Sequence, residues 1–175
     1  MGGQDVFSLK KGDIIDFHDL FLVKGFPIPN FNILAEGPFH VTETYKHGWS
    51  HEVTIEGAKS KAFLECEKDD DEVIIQIQIR IDRKFPELCH KFMQVWDRDS
   101  TTFEFNSVNY YLRERDWDES DEEEYEYWDY YSPEISEDQM LFIGVEDYGD
   151  PGKPEYEVLV GFTIPERAIK EIIPS

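Results

Sequence analysis

The chain has 175 residues and a formal net charge of −22, from 39 Asp and Glu against 17 Lys and Arg. A surface this acidic is repelled by nucleic acid and anionic lipid, so direct contact with either is disfavoured. No apolar run approaches the roughly 20 residues needed to span a bilayer, while an aromatic content of 15 % supplies large apolar surface for a core.

The N-terminal stretch carries no secretory pattern, because Lys10 and Lys11 precede Gly12-Asp13 rather than an apolar run. Position 6 is Val6, not the Ser or Thr of a myristoylation signal, and a cytoplasmic location is the default expectation. Cys66 and Cys89 form neither a CxxC pair nor a disulfide framework; Cys66, alternating with apolar neighbours, reads as a small core side chain.

In chain order, Ile14 to Phe17 and Leu20 to Gly25 read as strands of a hairpin joined through His18-Asp19, and Pro27 and Pro29 break the pattern. Asn32 to Ala35 and Phe39 to Tyr45 are further strand candidates. Trp49 to Ile55 and Ala62 to Glu67 follow, separated at Gly57. Val73 to Ile81 is the clearest strand, with Val73, Ile75, Ile77, Ile79 and Ile81 on one face and Gln76, Gln78 and Arg80 on the other. Pro86 to Trp96 fits one short helix, with Leu88, Phe92 and Val95 as its stripe. Strands resume at Thr102 to Phe105 and Val108 to Arg113. Glu114 to Glu124 reads as an acidic connector, before strands at Tyr125 to Tyr131, Met140 to Glu146 and Tyr156 to Ile164. Pro165-Glu166 opens a short C-terminal helix over Arg167 to Ile172.

A short pattern occurs twice. Trp49 precedes Phe63-Leu64-Glu65-Cys66-Glu67 by fourteen residues, and Trp128 precedes Phe142-Ile143-Gly144-Val145-Glu146 by the same interval. Each copy leads into an acidic turn and an apolar alternating run. This predicts one compact, mainly β domain of two related antiparallel lobes, spanning 1–85 and 86–175, in a sandwich or barrel-like core.

Several residues also resemble a known family. Gly12-Asp13 with an apolar segment ending Val23-Lys24-Gly25, Trp49 to Val53 followed by Phe63-Leu64, Tyr127 and Tyr130, Leu141 to Glu146, then Tyr156-Glu157 and Gly161 come in one order and spacing. The chain in this respect resembles a bacterial family catalogued as domain of unknown function 4178. His51-Glu52-Val53 departs from the acid-then-Tyr pattern expected there. The resemblance implies an all-β fold and carries over no catalytic residue.

Asp116 to Asp129 is the most distinctive segment. Its functional reading is a contact surface for a basic protein partner, with Trp117, Tyr127, Trp128 and Tyr130 supplying area and Glu122, Glu123 and Glu124 supplying charge. Trp49 and Glu52 mark the corresponding hairpin of the first half. The alternative is a solvated loop entering a strand whose Tyr and Trp are core. Other chemistry finds little support. No EF-hand loop fits at Asp116 or Asp97, since position six is Asp121 or Thr102 rather than Gly. His47 and His51, placed on one strand, stand about 13 Å apart and share no ion. Cys66 with Cys89-His90 is short of four zinc ligands. No nucleophile elbow, phosphate loop or HExxH occurs, so no cofactor, metal or catalytic residue is expected. A binding or accessory module is the leading reading. A small-ligand binder or enzyme with a pocket between lobes, and a DNA-mimic inhibitor of a basic protein, stay open. A homodimer by strand addition is also compatible with open sheet edges.

Overall fold

The computed structural model describes residues 5–18, 26–28, 31–119, 124–136 and 139–175. The protein is mainly β, with eleven strands among the described residues. They are β1 (Ile14–Phe17), β2 (Phe39–His47), β3 (Ser50–Glu56), β4 (Lys61–Asp69), β5 (Glu72–Arg80), β6 (Thr102–Phe105), β7 (Val108–Glu119), β8 (Glu124–Ser136), β9 (Gln139–Asp147), β10 (Tyr156–Ile164) and β11 (Ile169–Ile173). Two helices, α1 (Ile81–Lys84) and α2 (Pro86–Val95), follow β5. No helix of the described residues is long and apolar enough to cross a membrane.

The strands divide between two compact units. One draws on residues 1–23, 30–79 and 163–175, and the other on 24–29 and 80–162. In the first, antiparallel pairing runs β11-β1-β2-β3-β4-β5; in the second it runs β10-β9-β8-β7-β6. Neither ladder closes on itself, so the barrel alternative is set aside and the sheets are open.

In the first unit each strand turns one set of side chains inward. Phe39 and Val41 of β2, Val53 and Ile55 of β3, Ala62, Leu64 and Cys66 of β4, and Ile75, Ile77 and Ile79 of β5 are buried. Burial pushes the Cys66 thiol up to about 12, which keeps it a neutral core side chain. Two-residue turns set the registers. His47 pairs with Ser50 around Gly48 at φ +59°, and Asp69 pairs with Glu72 around Asp70 at φ +52°.

Two expectations here are corrected. Ile33–Glu36 is a 3-10 turn rather than a strand, opened by the Asn32 side chain accepting from Leu34 N–H. The C-terminal segment has only a 3-10 turn, Glu166–Ala168, before it becomes β11 and pairs with β1. The residues that suggest a helical stripe there include Ile169 and Ile172. β-branched side chains favour strands, and the edge of β1 supplies backbone partners that a six-residue helix lacks. The expected strand Leu20 to Gly25 lies outside the described residues; among the described residues β1 pairs with β11 and β2.

The second unit is an aromatic core. Helix α2 begins with Pro86 at its first turn, as the sequence indicates, but its inner stripe is Phe92 and Trp96, while Val95 is 45 % exposed. Phe92 packs on Phe103 and Phe105 of β6 at 5.5 Å between ring centroids. Trp96 meets Trp128 of β8 and Tyr156 of β10 edge-on, both at 5.3 Å. Strands β6 and β7 join through Asn106 and Ser107, both left-handed at φ +48° and +65°, as a two-residue hairpin turn requires.

The supposed connector from Glu114 to Glu124 is mostly strand. β7 runs to Glu119 and β8 begins at Glu124. Two of the four β7 acids there face aromatics, Asp116 opposite Tyr127 and Asp118 opposite Tyr125, while Glu114 faces Asp129 and Glu119 faces Glu124. Like charges directly across a ladder are the costly arrangement.

Candidate functional site

The ladder β7-β8-β9-β10 has two faces of different character. On the first, Trp128 and Tyr130 of β8 are fully buried beneath α2. Tyr130 donates its hydroxyl to the Ser100 carbonyl at 2.7 Å and accepts from Trp96 Nε1 at 2.8 Å. These two predicted contact residues are therefore core, and their polar atoms are spent inside. Trp128 donates Nε1–H to the Arg98 carbonyl at 3.0 Å. At the end of this face Arg98 bridges Glu126 and Asp147, both at 2.5 Å, and Arg115 holds Glu126 at 2.8 Å. Both guanidinium groups lie over the Trp128 ring, at 4.8 and 5.0 Å from its centroid. Burial opposes ionisation of Asp147, but the N–H groups of Gly149 and Glu155 and the Arg98 guanidinium hold its carboxyl below the usual range. Every charge in this lattice has a partner, which marks it as a brace rather than a reactive centre.

The second face is different. Register places Tyr125, Tyr127, Asp129 and Tyr131 of β8 on it, with Asp118, Asp116 and Glu114 of β7, Phe142, Gly144 and Glu146 of β9, and Glu157 and Leu159 of β10. The four β8 side chains are half-buried, and the three β7 acids are exposed. Two phenols are tied to a carboxylate. Tyr125 donates to Asp118 at 2.8 Å and Tyr148 donates to Glu146 at 2.6 Å. Tyr125 also stacks obliquely on Tyr148 with centroids 4.7 Å apart. Burial and then the neighbouring Glu114 carboxylate push the Tyr127 hydroxyl up to about 12.

Two carboxylates stand out on this face. Asp129 lies directly across from Glu114, an acid opposite an acid. Burial, then the Glu114 charge, raises its carboxyl to about 6, against a weaker opposing pull from Arg113. Glu146 is raised as well, first by burial and then by the charges of Glu157 and Asp129, while Tyr148 and Arg80 oppose the shift. The other acid-on-acid pair, Glu146 opposite Glu157, is relieved by Arg80, which reaches Glu157 at 2.8 Å and Asp82 at 2.6 Å. For Asp129, among the described residues, only the weaker pull of Arg113 opposes burial and Glu114.

The remaining predicted residues fall elsewhere. Trp49 occupies the β2–β3 turn and is 74 % exposed. Glu52 is exposed on β3, opposite Tyr45 and paired with His47 at 3.3 Å. Both belong to the first unit. Trp117, 63 % exposed, sits on β7 on the face opposite Tyr127, and Glu124 is exposed at the start of β8. Glu122 and Glu123 lie outside the described residues. The two tryptophans of the repeated pattern are not in equivalent places. Trp128 pairs with Val145 in mid-ladder, whereas Trp49 lies in a turn before the Ser50–Glu67 pair.

His47 and His51 are on neighbouring strands, not one, so the distance argument along a single strand does not apply to them. His51 is buried and donates Nε2–H to the Leu9 carbonyl at 3.0 Å. Among the described residues no group of three or more His, Cys, Asp or Glu side chains is placed to hold a metal ion.

Of the face that brings acids and tyrosines together, sequence reasoning singles out only Tyr127. It misses Asp129, Glu146, Gly144, Tyr125, Tyr131 and Tyr148 as site residues. The signal lies in the period-two run Tyr125, Tyr127, Asp129, Tyr131, which separates these four from Trp128 and Tyr130.

No protein-family model, no curated protein and no solved structure matches the chain.

Proposed function

We propose that the protein is a non-enzymatic binding module that holds a basic segment of a protein partner on the acidic tyrosine face of β7 to β10. The observation carrying this reading is the one-sided placement of half-buried tyrosines among carboxylates, with Asp129 facing an acid and drawing only a weak pull from Arg113. Tyrosines offer large contact area at small entropic cost. The carboxylates supply complementarity to Lys and Arg, and a net charge of −22 steers such a partner over a distance. The resemblance to a family of unknown function agrees with the β architecture and adds no chemistry.

The test is anisotropy of labelled octa-lysine and octa-arginine peptides against the whole chain over a range of salt. Binding that weakens with salt, and falls in an Asp116→Lys, Asp118→Lys double variant, supports the reading. Both positions are exposed, so the fold tolerates the change. Equal binding by the double variant removes this face as the contact surface.

A second reading, a small-ligand binder or enzyme using Asp129 and Glu146, draws support from their raised carboxyls, a trait of acid–base sites. It predicts that a neutral small molecule shifts the melting temperature of the wild type and not of Asp129→Asn. A screen in which no neutral compound does so counts against it.

A further inference from the structure

The acidic tyrosine face has a residue without a side chain in its middle. Gly144 lies at the centre of β9, between Asp129 of β8 and Leu159 of β10. Among the described residues a methyl group built there would meet Asp129 Oδ1 at 3.6 Å and Leu159 Cβ at 4.0 Å, which is ordinary contact. Its backbone is not left-handed either; the glycines with positive φ are Gly12, Gly48 and Gly152. Neither crowding nor conformation asks for glycine here. In a strand interior glycine costs stability, and it often marks a place where another group comes close.

The surroundings of Gly144 are chemically one-sided. Asp129 stands on one side, and Glu146 is two residues further along β9, a separation of roughly 7 Å. Leu159, half-buried on β10, completes the edge with apolar surface. Glu114 faces Asp129 from β7, adding repulsion rather than relief. A partly buried carboxylate is normally paired with a cation or hydrogen-bonded. The Glu146–Glu157 pair obtains its cation from Arg80, and the Glu126–Asp147 pair obtains its own from Arg98. For Asp129 the pull of Arg113 is outweighed by burial and Glu114, beside an unfilled position on the sheet.

We propose that the position over Gly144 receives one lysine or arginine side chain of the basic partner, its charged end between Asp129 and Glu146 and its stem against Leu159. This rests on the reading of the face as a surface for a basic segment, and it names the anchor point within it. A lysine or arginine suits the site because its apolar stem and charged tip match a position with both kinds of neighbour.

The same labelled octa-lysine and octa-arginine peptides test it, with four variants of the whole chain. Gly144→Val fills this position, and Gly144→Ala fills it partly with ordinary contacts, so one of the two stays folded. Asp129→Asn removes the charge. Glu104→Gln, exposed on β6 opposite Asn109, removes the same charge at a distance from Gly144. The expected result is about a tenfold loss of affinity for Asp129→Asn and for the glycine variants, with Glu104→Gln binding as the wild type. If Glu104→Gln loses as much as Asp129→Asn, only net charge matters and the anchor is refuted. If folded glycine variants bind like wild type, the position over Gly144 is refuted while the face keeps its role. If the wild type binds neither peptide, the reading of the face itself fails.

Discussion

Replacing Asp129 with Asn should make the protein more stable at neutral pH, against the usual direction for a substitution. In the folded chain this carboxyl is raised from 3.8 to about 6, by burial and then by Glu114. A raised acid holds its proton in the folded state at a pH where the unfolded chain has released it. Between about pH 4 and pH 6 the folded state therefore binds more protons, and stability falls as pH rises. The cost is complete above the folded value and absent below the unfolded one. A shift of about two units corresponds to roughly 3 kcal/mol at about 1.4 kcal/mol per unit. Asp129 is only half-buried, and solvent screening reduces this to about 2 kcal/mol. Asn occupies the same space without the charge. Urea unfolding followed by tryptophan fluorescence, at about pH 4 and about pH 7.5, measures the difference. The variant should gain about 2 kcal/mol at the higher pH and nearly nothing at the lower. A variant less stable than wild type at neutral pH, or a gain equal at both pH values, would refute the assignment of Asp129 as an uncompensated carboxylate. A residue that weakens the fold and is needed for binding has the profile of a functional side chain.

Gly144→Ala should raise stability by about 0.5–1 kcal/mol in the same urea assay, since the backbone there is ordinary strand and the added methyl is accommodated. Arg98→Ala should cost about 2–3 kcal/mol, because Glu126 and Asp147 lose their shared cation while nearly buried; thermal melts check this. Peptide affinity should fall as pH is lowered from about 7.5 to about 5, as Asp129 takes up a proton and no longer attracts a cation. The charges acting on Asp129 are Glu114, which raises its carboxyl, and Arg113, which opposes the rise, both on β7; Glu146 on β9 is itself raised by Asp129. An affinity that is flat over this range in anisotropy titrations argues that Asp129 makes no contact with the peptide.

The strands with clean alternation are legible in the amino-acid sequence alone. β5 reads directly from its isoleucines, and α2 from Pro86 and the placement of Phe92. Mainly antiparallel architecture follows from the same alternation. What misleads is charge. The acids from Glu114 to Glu119 look like a solvated connector, yet β7 runs through them, with tyrosines opposite Asp116 and Asp118, and cross-strand register is not written in a local window. The C-terminal strand escapes notice for a related reason: its stripe of Ala168, Ile169 and Ile172 fits a helix locally, and only a distant partner, β1, decides the outcome. The site depends on faces. Trp128 and Tyr130 are the conspicuous residues in sequence, but they point into the core, while the neighbours at odd positions from Tyr125 to Tyr131 carry the surface chemistry.

The pairing of β1 with β11 bears on how the chain is made. The second unit is a meander, β6 to β10 each pairing with the next, so every new strand meets its partner as it leaves the ribosome. The first unit follows the same pattern from β1 to β5, but its last strand, β11, does not. β1 emerges early, while the strand that covers its other edge is among the last to appear. Until then that edge presents unpaired backbone, the kind of template on which chains mispair. Interrupted synthesis would release a well-folded second unit attached to a first unit with an open seam, and aggregation of truncated chains should begin at β1.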